Sequence, residues 1–102
     1  MARTLRKAVT VPEETSRIAI GERLRLTRMA LGLSQAEFCR GAELETNTYN
    51  QYEKGRNQIR LDMAIRLVRA YRITLDWIYL GDPSNIPSGI HDKIRALRKS
   101  GA

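Results

Sequence analysis

The side chains best suited to chemistry in this chain are four neutral polar groups, Thr46, Asn47, Asn50 and Gln51, gathered within a short segment. Asn and Gln carry a donor and an acceptor side by side, the arrangement that pairs with N6 and N7 of adenine in a major groove. Thr can meet a thymine methyl or a base edge. In a helix these four lie opposite Tyr49 and Tyr52, which fall at i and i+3. A solvated helix face more usually carries Lys and Glu, so four uncharged polar residues beside a basic loop read as a recognition surface, with an ordinary wet face as the plainer alternative. The loop that follows supplies Lys54, Arg56 and Arg60 with the amides of Asn57 and Gln58, all suited to phosphate oxygens.

The overall charge agrees with that chemistry. The chain has 102 residues, with 18 Lys and Arg against 11 Asp and Glu and a formal charge of +7, so a polyanion is the leading partner. Acidic protein surfaces and anionic lipid are weaker rivals. The basic excess is spread along the chain, and folding has to focus it. A single cysteine, Cys39, and a single histidine, His91, leave no material for an internal disulfide, a zinc cluster or a Ser/His/Asp triad. No catalytic residue, metal or cofactor is therefore expected. No apolar run approaches the roughly 20 residues of a membrane span, and the N-terminus lacks the apolar stretch of a signal peptide. The expected setting is cytoplasmic, with no membrane partner.

The recognition segment needs helices to hold it. Ile20, Leu24 and Leu31 form the stripe of a first helix from about Arg17, ended by Gly32. Ser34 and Glu37 have the spacing of a capping box and open a short second helix with Phe38, Cys39 and Ala42 inside. A third helix starts at Glu45 or Thr46, runs to Lys54 and stops at Gly55. Leu61, Ala64, Ile65, Val68 and Tyr71 predict a fourth with Asp62 in its first turn. Thr74 caps a fifth, Leu75 to Leu80, ended by Gly81. Ile86, Ile90, Ile94 and Leu97 then line one more helix, to be buried either on Leu26 and Met29 of the first helix or on a second copy. The expected fold is all-α. It has a flexible basic arm over 1–16 that includes Arg3, Arg6 and Lys7, a helix-turn-helix domain over 17–83, and an amphipathic C-terminal helix over 84–102 for packing or dimerisation.

Three stretches carry a resemblance: Leu31-Gly32-Leu33-Ser34-Gln35-Ala36-Glu37-Phe38, Thr48-Tyr49-Asn50-Gln51-Tyr52-Glu53-Lys54-Gly55 and Leu75-Asp76-Trp77-Ile78-Tyr79-Leu80-Gly81-Asp82. With these, residues 20–82 resemble the phage-repressor-like, Cro-type (xenobiotic-response-element) helix-turn-helix transcriptional regulators. The resemblance implies a five-helix domain that binds double-stranded, pseudo-palindromic operator DNA as a homodimer, with the third helix in the major groove and repression by occlusion as the default. It also implies that Gln35 bonds a phosphate and touches the first residues of the third helix, and that Thr46, Asn47 and Gln51 read bases.

Arg28 lies along the buried stripe of the first helix, where a lone charge is costly. The family pattern pairs such an arginine with the glutamate closing the third helix, here Glu53; snorkelling to a phosphate is the alternative. Cys39 stands where the family places a small buried alanine, so a structural thiol is expected. Trp77 and Tyr79 read as core aromatics. Two departures are Glu43 and Glu45, where the family has glycine at the turn and Ser or Thr at the cap. Plain turn residues, readers of a cytosine amine and a contact to RNA polymerase all stay open for them. From another functional class, an antitoxin or protein-interaction module with weak DNA binding is the alternative reading.

Overall fold

Caps set where the helices start. The Ser16 hydroxyl accepts from the amide of Ala19, Ser34 and Glu37 bond each other's backbone amides, and the carboxylate of Glu45 accepts from the amide of Thr48. Each such cap satisfies an otherwise orphaned donor and stabilises its helix by about 1 kcal/mol. The computed structural model describes residues 12–101, and among these all regular structure is helical. A 3-10 turn, Glu13–Thr15, precedes α1 (Arg17–Ala30), α2 (Gln35–Ala42), α3 (Thr46–Glu53) and α4 (Leu61–Tyr71); a π-helical turn, Asp76–Leu80, and α5 (Ser88–Lys99) complete the chain. None of these helices is long and apolar enough to cross a membrane.

The core draws on α1 to α5 and the π-helical turn but not on the 3-10 turn, with Ile20, Leu24, Leu26, Phe38, Tyr49, Leu67, Trp77, Ile78 and Ile94 fully buried. Gly21 lets α1 lie directly on the end of α3. A Cβ there would run into the carbonyl oxygen of Tyr52 and meet that of Glu53 at 2.8 Å. Gly55 ends α3 in the left-handed region, at φ 72°.

Four expectations need correcting. On α4 the buried residues are Ala64 and Leu67, whereas Ile65 and Val68 are half-buried and Leu61 is 57% exposed. The ring of Tyr71 stacks on Phe38 at 4.5 Å and its hydroxyl donates to the Phe38 carbonyl, which sets the rotation of α4 against α2. The expected fifth α-helix is a π-helical turn, a widened form that turns two successive large residues, Trp77 and Ile78, inward together. Its cap is as expected, with Thr74 Oγ1 accepting from the amide of Trp77 at 2.9 Å. The last helix starts at Ser88, later than its apolar stripe suggests, because Pro87 interrupts the run and Ile86 packs from the lead-in.

The fourth correction concerns the arm. Its final residues are built into the fold, since the Glu14 carbonyl accepts from the Arg23 guanidinium. Arg3, Arg6 and Lys7 lie outside the described residues. The α5 stripe is spent within the chain: Ile86, Ile90 and Ile94 are buried, and Leu97 borders a groove with Met29 and Ala30 of α1.

Candidate nucleic-acid interface

One carboxylate holds α3 from beneath. Glu53 has a side chain only 5% exposed, and its Oε2 accepts from Arg28 Nε at 2.7 Å and from the Tyr49 hydroxyl at 2.5 Å. Its Oε1 accepts from Arg28 Nη2 at 3.1 Å and from Gln35 Nε2 at 3.0 Å. These four donors fill the acceptor capacity of a carboxylate. Burial pushes Glu53 up, but the hydrogen bonds from Arg28, Tyr49 and Gln35 together outweigh it and hold the carboxyl below its usual value. Burial and the neighbouring Glu53 charge push the Tyr49 phenol far up, so it remains a donor. Arg28 is held above its usual value by its bond to Glu53, and its Nη1 donates to the Leu33 carbonyl at 2.9 Å. Helices α1, α2 and α3 and the turn between the first two are thus clamped on one charge pair.

Gln35 differs from the family expectation. One hydrogen of its amide nitrogen goes to Glu53 and the other to Asn50 Oδ1 at 3.1 Å, both late in α3 rather than at its start. The side-chain donors are consumed inside the protein. The main-chain amide of Gln35, at the first position of α2, is among the donors that helix geometry leaves without an intrahelical acceptor.

On the outer side of α3, Thr46 and Asn47 are exposed and Asn50 and Gln51 half-exposed. The Asn47 side chain makes no hydrogen bond among the described residues. Gln51 Oε1 receives a long contact, 3.4 Å, from Arg56 Nη1. Thr46 also reaches inward: burial pushes the Cys39 thiol up, and the Thr46 hydroxyl beside it acts in the opposite direction. Cys39 is a fully buried thiol.

Beside this face Lys54, Arg56, Asn57 and Arg60 are all exposed. Arg60 bonds Asp62 at 3.2 Å, but with side chains 70% and 54% exposed that pair is weak and leaves the guanidinium available to an anion. Arg17 joins the group. Its Nε donates to the Gly55 carbonyl at 2.8 Å, and it lines a shallow notch with Arg56, Asn57 and Gln58. Sequence reasoning missed it because its partner is 38 residues away and is a carbonyl, which leaves no residue-type signal.

The two acidic departures have structural work. Glu45 caps α3, accepting from the Thr48 amide at 3.0 Å and hydroxyl at 2.6 Å; these bonds hold its carboxyl below the usual value. Glu43 ends α2 in the left-handed region at φ 59°, where its carbonyl accepts from Arg66 Nη1 at 2.7 Å. That conformation costs a non-glycine residue about 1 kcal/mol or more.

A family model described as a helix-turn-helix matches residues 24–78, which span α1 from Leu24 through the π-helical turn to Ile78. No curated protein and no solved structure gives a significant match to the chain.

Proposed function

The chain belongs to the Cro-type, xenobiotic-response-element helix-turn-helix family and is a DNA-binding transcription regulator; from that premise we propose that it binds a specific double-stranded operator as a dimer and represses by occlusion. The observation that carries this reading is the neutral polar face of α3, held rigid from behind by the Glu53 cluster and flanked by exposed cations. Asn47 and Gln51 lie one helical turn apart, and each can present its amide to a base edge. Lys54, Arg56, Asn57, Arg60 and the main-chain amide of Gln35 serve phosphates and set the register.

A second copy supplies the second reading helix, on half-sites about 34 Å apart. With the α5 stripe buried, exposed Leu61 and Leu80 are the better dimer contact. The bond from the Tyr79 hydroxyl to the Ile59 carbonyl at 2.8 Å brings together the segments that carry them. Leu80→Glu is expected to shift sedimentation toward monomer.

The test of reading against positioning is a pair of substitutions. Asn47→Ala and Gln51→Ala each cost about 1–3 kcal/mol on the preferred site and relax one base position. Arg56→Ala weakens cognate and scrambled DNA alike and lowers the salt slope by about one unit per monomer. Equal loss on both DNAs for Asn47→Ala and Gln51→Ala would remove α3 as the reader. Random, weak occupancy by the wild type would favour a protein-interaction module.

A further inference from the structure

Hydrogen-bond polarity distinguishes Asn50 from its neighbours on α3. The ionised carboxylate of Glu53 can only accept, so the end of Gln35 that faces its Oε1 at 3.0 Å must be the amide nitrogen. That nitrogen has a second hydrogen, directed at Asn50 over 3.1 Å, so the Asn50 atom meeting it must be the carbonyl oxygen. The chain of necessity runs from Arg28, which can only donate, through Glu53 and Gln35 to Asn50. It leaves the Asn50 amide nitrogen, with two hydrogens, unpartnered among the described residues on a half-exposed position of α3.

We propose that Asn50 is a donor-only specificity residue, oriented by Gln35, that selects a base presenting a keto oxygen in the major groove, guanine or thymine, and disfavours adenine and cytosine at that position. This inference rests on the operator-reading function proposed above. A bidentate pair with adenine needs the amide oxygen turned toward N6, and the bond from Gln35 holds that oxygen toward α2 instead. An outward nitrogen with two hydrogens meets both the N7 and O6 acceptors of guanine or the O4 of thymine, whereas adenine offers N7 alone beside an opposing N6 amine and cytosine an opposing N4 amine. Asn47 has no such restraint and Gln51 only a long one, so three amides on one helix carry different codes. Gln35 acts as a positioning residue: it touches no base and sets which end of Asn50 points outward.

The experiment is selection of bound sequences from random duplex DNA by the full chain, for wild type, Asn50→Ala and Gln35→Met. In the wild-type sites, the position whose preference disappears in Asn50→Ala is expected to hold guanine or thymine, favoured about 5- to 100-fold over adenine and cytosine. Gln35→Met keeps the length of the side chain but removes both donors, so Asn50 can turn over; adenine should then rise at that one position while those read by Asn47 and Gln51 stay unchanged. A purely structural role for Gln35 would weaken all positions together and would overturn its part. Adenine or cytosine at the Asn50-dependent position overturns the inference while leaving operator reading intact. A uniform loss in Asn50→Ala over all sequences places the nitrogen on a phosphate and likewise overturns it. Failure of the wild type to enrich any sequence removes operator reading itself, and this inference with it. Should either variant fail to melt cooperatively, wild-type affinity for the four bases at each half-site position decides, because a site with no position preferring guanine or thymine over adenine and cytosine contradicts the assignment.

Discussion

Two arginines of α1 leave water in opposite ways. Arg28, with its side chain 17% exposed, meets a carboxylate through two nitrogens and ties the turn before α2 with a third. Arg23 is only 4% exposed and, among the described residues, bonds no carboxylate. Its Nε and Nη2 donate to the Ile78 carbonyl at 3.2 and 2.9 Å, Nη2 also reaches the Glu14 carbonyl, and the guanidinium sits 5.9 Å from the centre of the Trp77 ring. Burial, followed by the charge of Arg98 on the same ring, pulls Arg23 below the usual arginine value. One site balances a charge with a charge; the other solvates it with fixed carbonyl dipoles and a π-face. The first joins the helices that carry the reading surface, and the second joins the N-terminal turn, α1 and the π-helical turn.

The difference predicts unequal costs. Glu53→Ala leaves Arg28 without its counter-charge and should destabilise the fold by about 3–5 kcal/mol, the largest effect expected of any single change in the cluster. Denaturant melting measures it, and an unchanged midpoint would mean that Arg28 is adequately solvated without Glu53. Arg23→Met strands no charge. It leaves carbonyl oxygens short of donors while supplying a side chain of comparable reach, so the expected loss is about 1–3 kcal/mol. A loss as large as that of Glu53→Ala would show that carbonyls and a ring hold a cation as tightly as a carboxylate does.

The same contrast explains what could be read in advance. The Ser34 and Glu37 box is local, so its spacing alone announced the start of α2. The polar face of α3 was legible for the same reason, since Tyr49 and Tyr52 mark the inner side one turn apart. The Arg28–Glu53 pair spans 25 residues and was reached through the family pattern, not from spacing. Arg23 carried no signal: it sits among Glu22 and Arg25 on a helix that looks wet, and its acceptors are carbonyls, which every residue has. The α5 stripe announced that Ile90 and Ile94 would be buried but could not say whether against α1 or a second copy, because an apolar stripe specifies area and not a partner. The orientation of the Asn50 amide was beyond reach for a further reason. It follows from a carboxylate three positions on along the same helix, through a glutamine of another.

Acid provides the finest probe of the comparison, because only one of the two sites can titrate in that range. The folded value of Glu53 lies below its unfolded value of about 4.3, so the unfolded chain binds more protons as pH falls through that interval. The stabilisation is complete above the unfolded value and is lost as pH falls through the lower folded one. One proton corresponds to a slope of at most about 1.4 kcal/mol per pH unit, and the slope should flatten in Glu53→Gln, which keeps the shape but cannot titrate. In Arg23→Met the acid slope should match that of the wild type, since Arg23 keeps its proton throughout and its acceptors are main-chain carbonyls. Stability measured against pH from about 6 down to 3 for the three chains separates the sites. If Glu53→Gln retains the full wild-type slope, the acid response arises from other carboxylates, such as the capping groups Glu37 and Glu45, whose values are also held down by hydrogen bonds, and the Glu53 clamp contributes less than its geometry suggests.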